Sequence, residues 1–262
     1  MGYEEIIGLI FFGIVVGSAG TLIGAGGGFL LMPAFLIFYK DKGPGVLTAI
    51  SLAVICANAT SGSMAYAKMR RIDYRAGFLF ALAAMPGAVA GAIIIDYISS
   101  NIFDILFGLM LALAGTYLFI TVGKRLNFQQ ADAKRIPPYN LKVGMGISTF
   151  VGLLSSLFGI GGGIVHVPMM VYILKFPVHF ATATSQFTLA IMTLTGTIVN
   201  IYQGDLAGQW SLVLLLAAGV LVGAQIGAKI SQRFKSTWII KCLAIALLIV
   251  GLRILYQGIL TI

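Results

Sequence analysis

Ten apolar stretches run along this chain, at about 6–23, 28–39, 46–67, 76–95, 102–122, 142–158, 164–174, 180–202, 209–228 and 238–260. Short polar breaks separate them: KDKGPG (40–45), KMRRIDYR (68–75), DYISSN (96–101), KFPVH (175–179), QGDLAGQ (203–209) and KISQRFKSTW (229–238). A longer break, GKRLNFQQADAKRIPPYNLK, fills 123–142. The apolar runs are too long and too continuous for strands of a membrane barrel. They predict membrane-spanning helices, which satisfy their own backbone hydrogen bonds in lipid.

Two of the ten stretches are too short to cross. GAGGG (24–28) interrupts the first apolar region and GIGGG (159–163) the sixth, each followed five residues later by a proline, Pro33 and Pro168. Only 17 residues precede Gly159 within the membrane and 11 follow Gly163 before Lys175. The second arm is at most ~17 Å long as a helix. A span needs ~20 residues for a ~30 Å hydrocarbon core. Each glycine run is therefore expected to tip a re-entrant helical hairpin.

The two runs are copies within a larger repeat. Gly17, Gly24, Gly26 to Gly28 and Pro33 recur 135 residues later, TAIS (48–51) recurs as TATS (182–185), and Gly87/Gly91 recur as Gly223/Gly227. The expected organisation is a first repeat over 1–122 (hairpin 6–39, helices 46–67, 76–95 and 102–122) and a second over 142–262 (hairpin 142–174, helices 180–202, 209–228 and 238–260). A cytoplasmic linker at 123–141 joins them.

Composition adds to this. Hydrophobic residues make up 59% of the chain and charged residues 10%, with a mean hydropathy of +1.01. The bilayer is the main solvent. The net charge of +9 sits in small clusters between apolar segments, which points to topology signalling and away from nucleic acid. The breaks at 68–75, 123–142 and 229–241 carry four, five and four Lys or Arg, while 96–101 and 203–209 carry none. The first group is expected inside and the second outside, with both termini outside. Three spans then separate the hairpins, so the second repeat is inverted relative to the first, a common transporter plan. The acidic start MGYEE lacks the basic region of a signal peptide, so residues from about 6 onward are expected to be membrane structure. Cys56 and Cys242 have no metal-site spacing and are expected to be small apolar core residues.

The candidate chemistry follows from the tips. A helix that starts at a glycine turn leaves its first N–H groups without internal partners and carries roughly half a positive charge there. Gly24, Gly26, Gly27, Gly28, Gly159, Gly161, Gly162 and Gly163 are therefore candidate anion contacts. The alternative is that they only permit close packing, the role expected of Gly87/Gly91 and Gly223/Gly227. Ser51, Asn58, Thr184, Ser185 and Gln186 are candidate side-chain donors. His166 is a possible proton or substrate contact, or a buried neutral histidine. No acidic residue lies mid-segment, so no metal site is expected, and no paired acids or nucleophile–base set suggests an enzyme. No cofactor is expected, with H⁺ or Na⁺ possible as coupling ion and H⁺ preferred.

GAGGGFLLMP and GIGGGIVHVP, the basic linker and the Thr-Ser element after each hairpin resemble the sulfite exporter TauE/SafE family of anion permeases, over essentially the whole chain. In the first half Ile50-Ser51 replaces the second half's Thr184-Ser185. The resemblance implies secondary transport of a small sulfur-containing or organic anion, often outward. The expected protein is an all-α, polytopic transporter in the inner membrane of a prokaryote, moving sulfite, an organosulfonate or a related anion by alternating access. A passive anion channel, or a membrane sensor or assembly protein that moves nothing, are the other readings. Its expected partners are the anion and the lipid bilayer; sequence does not give the oligomeric state.

Overall fold

A computed structural model of the chain describes residues 2–39, 41–125, 136–232 and 236–260. Most of the expected linker, with Lys40, lies outside the described residues, as does the side chain of Cys242. Ten α-helices occur among the described residues: α1 (Tyr3–Ile23), α2 (Gly28–Phe38), α3 (Pro44–Lys68), α4 (Tyr74–Ile94), α5 (Ser100–Arg125), α6 (Leu141–Phe158), α7 (Gly163–Tyr172), α8 (Val178–Gln203), α9 (Trp210–Ile230) and α10 (Ser236–Leu260). No strand occurs among the described residues. Among the described residues, six helices are long and apolar enough to cross a membrane by length and composition. The protein is a multi-pass membrane protein.

Helix boundaries follow local chemistry. Pro44 starts α3 at its first position, where the missing N–H costs nothing. Asp73 caps α4 by accepting from the Ala76 N–H, and Asn140 caps α6 by accepting from Lys142 and Val143. Gly204 ends α8 in the left-handed conformation. Between α1 and α2 the chain turns through Gly24, Gly26 and Gly27, with φ of 80°, 76° and 92°. Between α6 and α7 it turns through Gly159, Gly161 and Gly162, with φ of 61°, 77° and 68°. A side chain at any of these six positions meets the steric penalty of positive φ. Both glycine runs thus fold into the same turn.

The long helices pair across the two halves. α1 packs along α9, α6 along α4, α5 along α10 and α3 along α8, while α3 also meets α9 and α8 also meets α4. Every pairing recurs with the halves exchanged. Glycines make the three most extensive contacts possible. A Cβ placed on Gly87 or Gly91 would overlap the Thr149 or Leu153 carbonyl oxygen of α6, and one on Gly152 the Ala84 carbonyl oxygen of α4. On the opposite side, Gly219, Gly223 and Gly227 sit against the carbonyls of Ile10, Ile14 and Ser18 in α1. Gly108, Gly115 and Gly251 do the same for α5 and α10. Phe158, the last residue of α6, docks its ring 5.8 Å from both Phe103 and Phe107 of α5, tying the α5–α10 pair to the second turn.

These contacts generate a stability prediction. Gly87→Ala and Gly223→Ala force an added carbon into backbone, and overpacking of this kind costs about 1–3 kcal/mol each. Gly146, with nothing within 4 Å of its missing Cβ, is the control: Gly146→Ala should be neutral or stabilising by up to about 1 kcal/mol. Thermal unfolding of detergent-purified variants measures all three.

Candidate functional site

The first glycine turn closes on itself before it meets its counterpart. The N–H groups of Ala25 and Gly26 bond to the Gly20 carbonyl at 2.8 and 3.2 Å. Gly20 lies so close under the turn that a Cβ there would overlap the Gly27 nitrogen. α2 begins with Leu30 and Leu31 donating to the Gly27 carbonyl, and α7 with Val165 and His166 donating to the Gly162 carbonyl. No side chain caps either helix N-terminus. Pro33 and Pro168 occupy equivalent places in the second turn of their helices.

The two turns then touch. A Cβ on Gly28 would lie 2.6 Å from the Gly159 carbonyl oxygen, and one on Gly163 would overlap the Gly24 carbonyl oxygen. The missing side chains are what allow backbone to meet backbone. Two apolar side chains at equivalent repeat positions wedge this junction. Ile55 of α3 presses on Gly26, Gly28 and Gly161, and Leu189 of α8 on Gly163. Ala25, Ile160, Ile55 and Leu189 are fully buried. In this conformation the tips are shut against each other.

Side chains from the central helices satisfy the turn carbonyls. The Ser51 hydroxyl of α3 donates to the Gly159 carbonyl, and the Ser185 hydroxyl of α8 donates to the Gly24 carbonyl at 3.0 Å. The two bonds are equivalent in the repeat and each crosses between halves. Asn58 donates from Nδ2 to the Gly26 carbonyl at 3.0 Å and accepts at Oδ1 from the Thr21 hydroxyl at 3.2 Å. Gln186 donates from Nε2 to the Thr21 hydroxyl oxygen at 3.1 Å, and the Tyr66 hydroxyl donates to the Thr21 carbonyl at 2.8 Å. The structure thus gathers the eight tip glycines, Ser51, Asn58, Ser185 and Gln186 in one buried junction. The Ser51 and Ser185 protons, expected to face a ligand, are here committed to backbone.

Two candidate residues lie apart from that junction. Thr184 accepts the Asp73 backbone N–H at 3.0 Å and so holds the 69–73 loop against α8. Asp73 in turn accepts from the Tyr139 hydroxyl at 3.1 Å. Burial, and then the Asp73 charge, push the Tyr139 phenol up to about 12. His166 begins one turn into α7 and faces away from the tips. Its Nε2 is 3.1 Å from the Ser148 hydroxyl of α6, and its ring stands edge-on to Phe80 at 5.9 Å. Cys56 is partly buried, its Sγ 3.8 Å from the Ala190 carbonyl. Among the described residues no group of three or more His, Cys, Asp or Glu side chains could hold a metal.

A family model described as "Sulfite exporter TauE/SafE" matches residues 9–254. The chain belongs to the sulfite exporter TauE/SafE family. A probable membrane transporter protein of Bacillus subtilis (strain 168), YunE, is 31% identical to it over 96% of this chain and 97% of its own length. A probable membrane transporter protein of Methanocaldococcus jannaschii is 28% identical over 86% of each chain. The relative YfcA of Escherichia coli (strain K12), a probable membrane transporter protein, is 20% identical over 97% of this chain. No solved structure matches the chain. TauE/SafE proteins are membrane transporters, not enzymes, and the duplicated glycine turn sits inside the matched region.

Some residues at this TauE/SafE junction carried no sequence signal on their own. Thr21, Ile55 and Tyr66 read as ordinary helix residues. Repeat register was the one available clue: Thr21 corresponds to Ser156 and Ile55 to Leu189 at the offsets that relate the glycine turns.

Two outcomes follow. Ser51→Ala and Ser185→Ala each strand a buried carbonyl and should each cost about 1–3 kcal/mol in thermal unfolding, by similar amounts. In the loop after α8, burial and then the Asp96 charge raise the Asp205 carboxyl above its ordinary range. A raised folded-state value means that the stability is present at low pH and is lost as pH rises through that value. Asp205→Asn should therefore raise the unfolding midpoint at pH 7, with the gain shrinking towards pH 4.

Proposed function

We propose that this chain is a secondary transporter of a small oxyanion, built from two inverted-topology repeats whose glycine-tipped re-entrant hairpins meet at the substrate path. The observation that carries this reading is the buried meeting of two helix N-termini, α2 and α7, that no side chain caps. Such ends attract negative charge through free N–H groups and the helix dipole. The exchanged pairings of α1–α9 with α6–α4 support the inverted plan. The lengths of α2 and α7, 11 and 10 residues, support arms that stop short of crossing.

The transport cycle follows from the closed junction. Admission of an anion to Gly26–Gly28 and Gly161–Gly163 requires the tips to part and Ile55 and Leu189 to withdraw. The Ser51–Gly159 and Ser185–Gly24 bonds hold the shut state, and their donors become free for the anion when the tips separate. Asn58, Gln186 and Thr184 add donors along the path. Each hairpin moving with the helices it packs on would open one face at a time. The family description favours sulfite or a related sulfur oxyanion, moved outward across the inner membrane. Proton coupling is preferred over Na⁺, with His166 and its Ser148 partner as the proton-accepting pair.

Proteoliposomes with an imposed pH gradient test this. Wild-type protein should accumulate sulfite beyond its equilibrium level. Flux that only equilibrates would make the protein a channel, and no flux of sulfite, thiosulfate or a simple sulfonate would overturn transport altogether. Gly27→Val and Gly162→Val should each reduce uptake per folded transporter at least about tenfold, a barrier increase of about 1.4 kcal/mol. Unchanged flux in both removes the tips from the path. A cysteine at Lys175 should react with an impermeant reagent only from the cytoplasmic side; reaction from outside would make α6–α7 a full crossing.

A further inference from the structure

The two halves repeat their backbone but not their hydrogen bonding. In the first half Thr21 is the centre of a connected network, joined to Asn58, Gln186 and Tyr66. Gly62 of α3 lies against that centre: a Cβ there would sit 2.7 Å from Gln186 Nε2 and 3.0 Å from Thr21 Oγ1. One turn further along α3, the Tyr66 ring fills the space and its hydroxyl reaches the Thr21 carbonyl. The same places in the second half hold Ser156 for Thr21, Met192 for Asn58, Leu52 for Gln186, Gly196 for Gly62 and Asn200 for Tyr66.

The packing at these places is equivalent. A Cβ on Gly196 would sit 2.8 Å from Ser156 Oγ and 3.1 Å from Leu52 Cδ1. Asn200 is one turn beyond Gly196 on α8, as Tyr66 is beyond Gly62 on α3, so both project from the same helix face. The partners, however, are gone. Ser156 Oγ has no hydrogen bond, and neither Nδ2 nor Oδ1 of Asn200 has one. Ser155, whose Cβ lies 3.1 Å from the position of a Cβ on Gly162 at the start of α7, has an unpartnered hydroxyl too. All three residues are buried: Ser155 and Ser156 at 0% exposure, Asn200 at 1%. Thr48 Oγ1, Ser63 Oγ and Gln186 Oε1 are unpartnered as well, but Asn200 leaves both ends of its amide bare next to the bare Ser156 side of α6. Buried polar groups are nearly always paired, so this set calls for a guest. Replacing a tyrosine ring by an asparagine also makes room for one.

We propose that Ser155, Ser156 and Asn200 form a binding pocket for a small oxyanion on the second half's side of the glycine junction. It rests on the transporter reading above and deepens it, by placing the anion off the axis of the closed tips. Two hydroxyls and one amide offer up to four neutral N–H and O–H donors. Ser155 sets the pocket beside the uncapped N-terminus of α7, whose dipole adds positive potential. Neutral donors hold an oxyanion without a counter-ion and release it again, as a carrier requires. The first half's equivalent space is closed by Tyr66, so the pocket occurs once and the transporter is functionally asymmetric.

Sulfite-dependent thermal unfolding of the purified full chain tests the placement, with Asn200→Leu, Asn200→Tyr and Ser156→Ala compared against wild type. An orphaned asparagine is a burden on the empty fold, so Asn200→Leu should melt at the same or a higher temperature than wild type without sulfite. With sulfite at about three times the Kd of wild type, wild type should shift upward, and all three variants should lose at least about 80% of that shift, which corresponds to roughly a tenfold weakening of the site. A full sulfite shift in Asn200→Leu and Ser156→Ala overturns the pocket while leaving the transporter reading in place. So does an Asn200→Leu protein that melts lower than wild type without ligand, since Asn200 would then be paired within the fold. A shift produced by sodium chloride but not by the choline salt of sulfite assigns the orphans to a cation and also overturns it. A wild type that shifts with no sulfur oxyanion removes the transporter reading, and the pocket with it.

Discussion

Breaking a helix inside an apolar bundle leaves carbonyl oxygens with no N–H to accept from, and the rest of this molecule is arranged around supplying them. Gly24, Gly26 and Gly159 lie buried in the turns that follow α1 and α6. Ser185, Asn58 and Ser51 deliver one donor to each. The donors come from α3 and α8, the two central helices, and two of the three bonds cross between halves. Without them each turn would bury unpaired backbone at a cost that a membrane interior does not forgive. The polar content of α3 and α8 is therefore explained first by the turns and only secondarily by a ligand.

The same arrangement connects structure to transport. In the proposed cycle, the bonds that hold the tips shut use the groups that would meet the anion, so closing and binding would compete for one set of donors. On that proposal, a ligand that replaced the Ser51–Gly159 and Ser185–Gly24 bonds would need to supply only the difference between two hydrogen-bonded states, which would keep the two conformations close in energy. Ile55 and Leu189 contribute the opposite property. Fully buried against the tip glycines, they fill the closed junction with apolar side chains and would seal the proposed path between openings.

Much of this was legible in the residues. Ten apolar stretches located ten helices, because hydrophobic length is the dominant constraint on a chain in lipid. GAGGG and GIGGG announced tight turns, since three glycines in a row within an apolar run have few other uses. The partners of Ser51 and Ser185 were not legible. A hydroxyl in a membrane helix reads the same whether it serves a ligand or a carbonyl, and only the approach of the other half decides between them. The missing partners of Asn200 were invisible for a related reason. Their absence appears only beside the equivalent Tyr66, whose hydroxyl reaches the Thr21 carbonyl.

The glycine-lined pairings have a consequence for how the chain is made. α1 rests on α9, and about 190 residues separate them, while α4 meets α6 and α5 meets α10 only once the second half exists. The first half therefore enters the bilayer with its closest-packing faces uncovered, each a groove of bare backbone shaped for a helix not yet synthesised. Its most extensive helix–helix contacts are all with the second half, the regime in which assembly is slow and wrong pairings have time to form. Lipid must line those grooves in the interval. Each later helix then completes the fold by evicting acyl chains from a surface that was already cut to fit it.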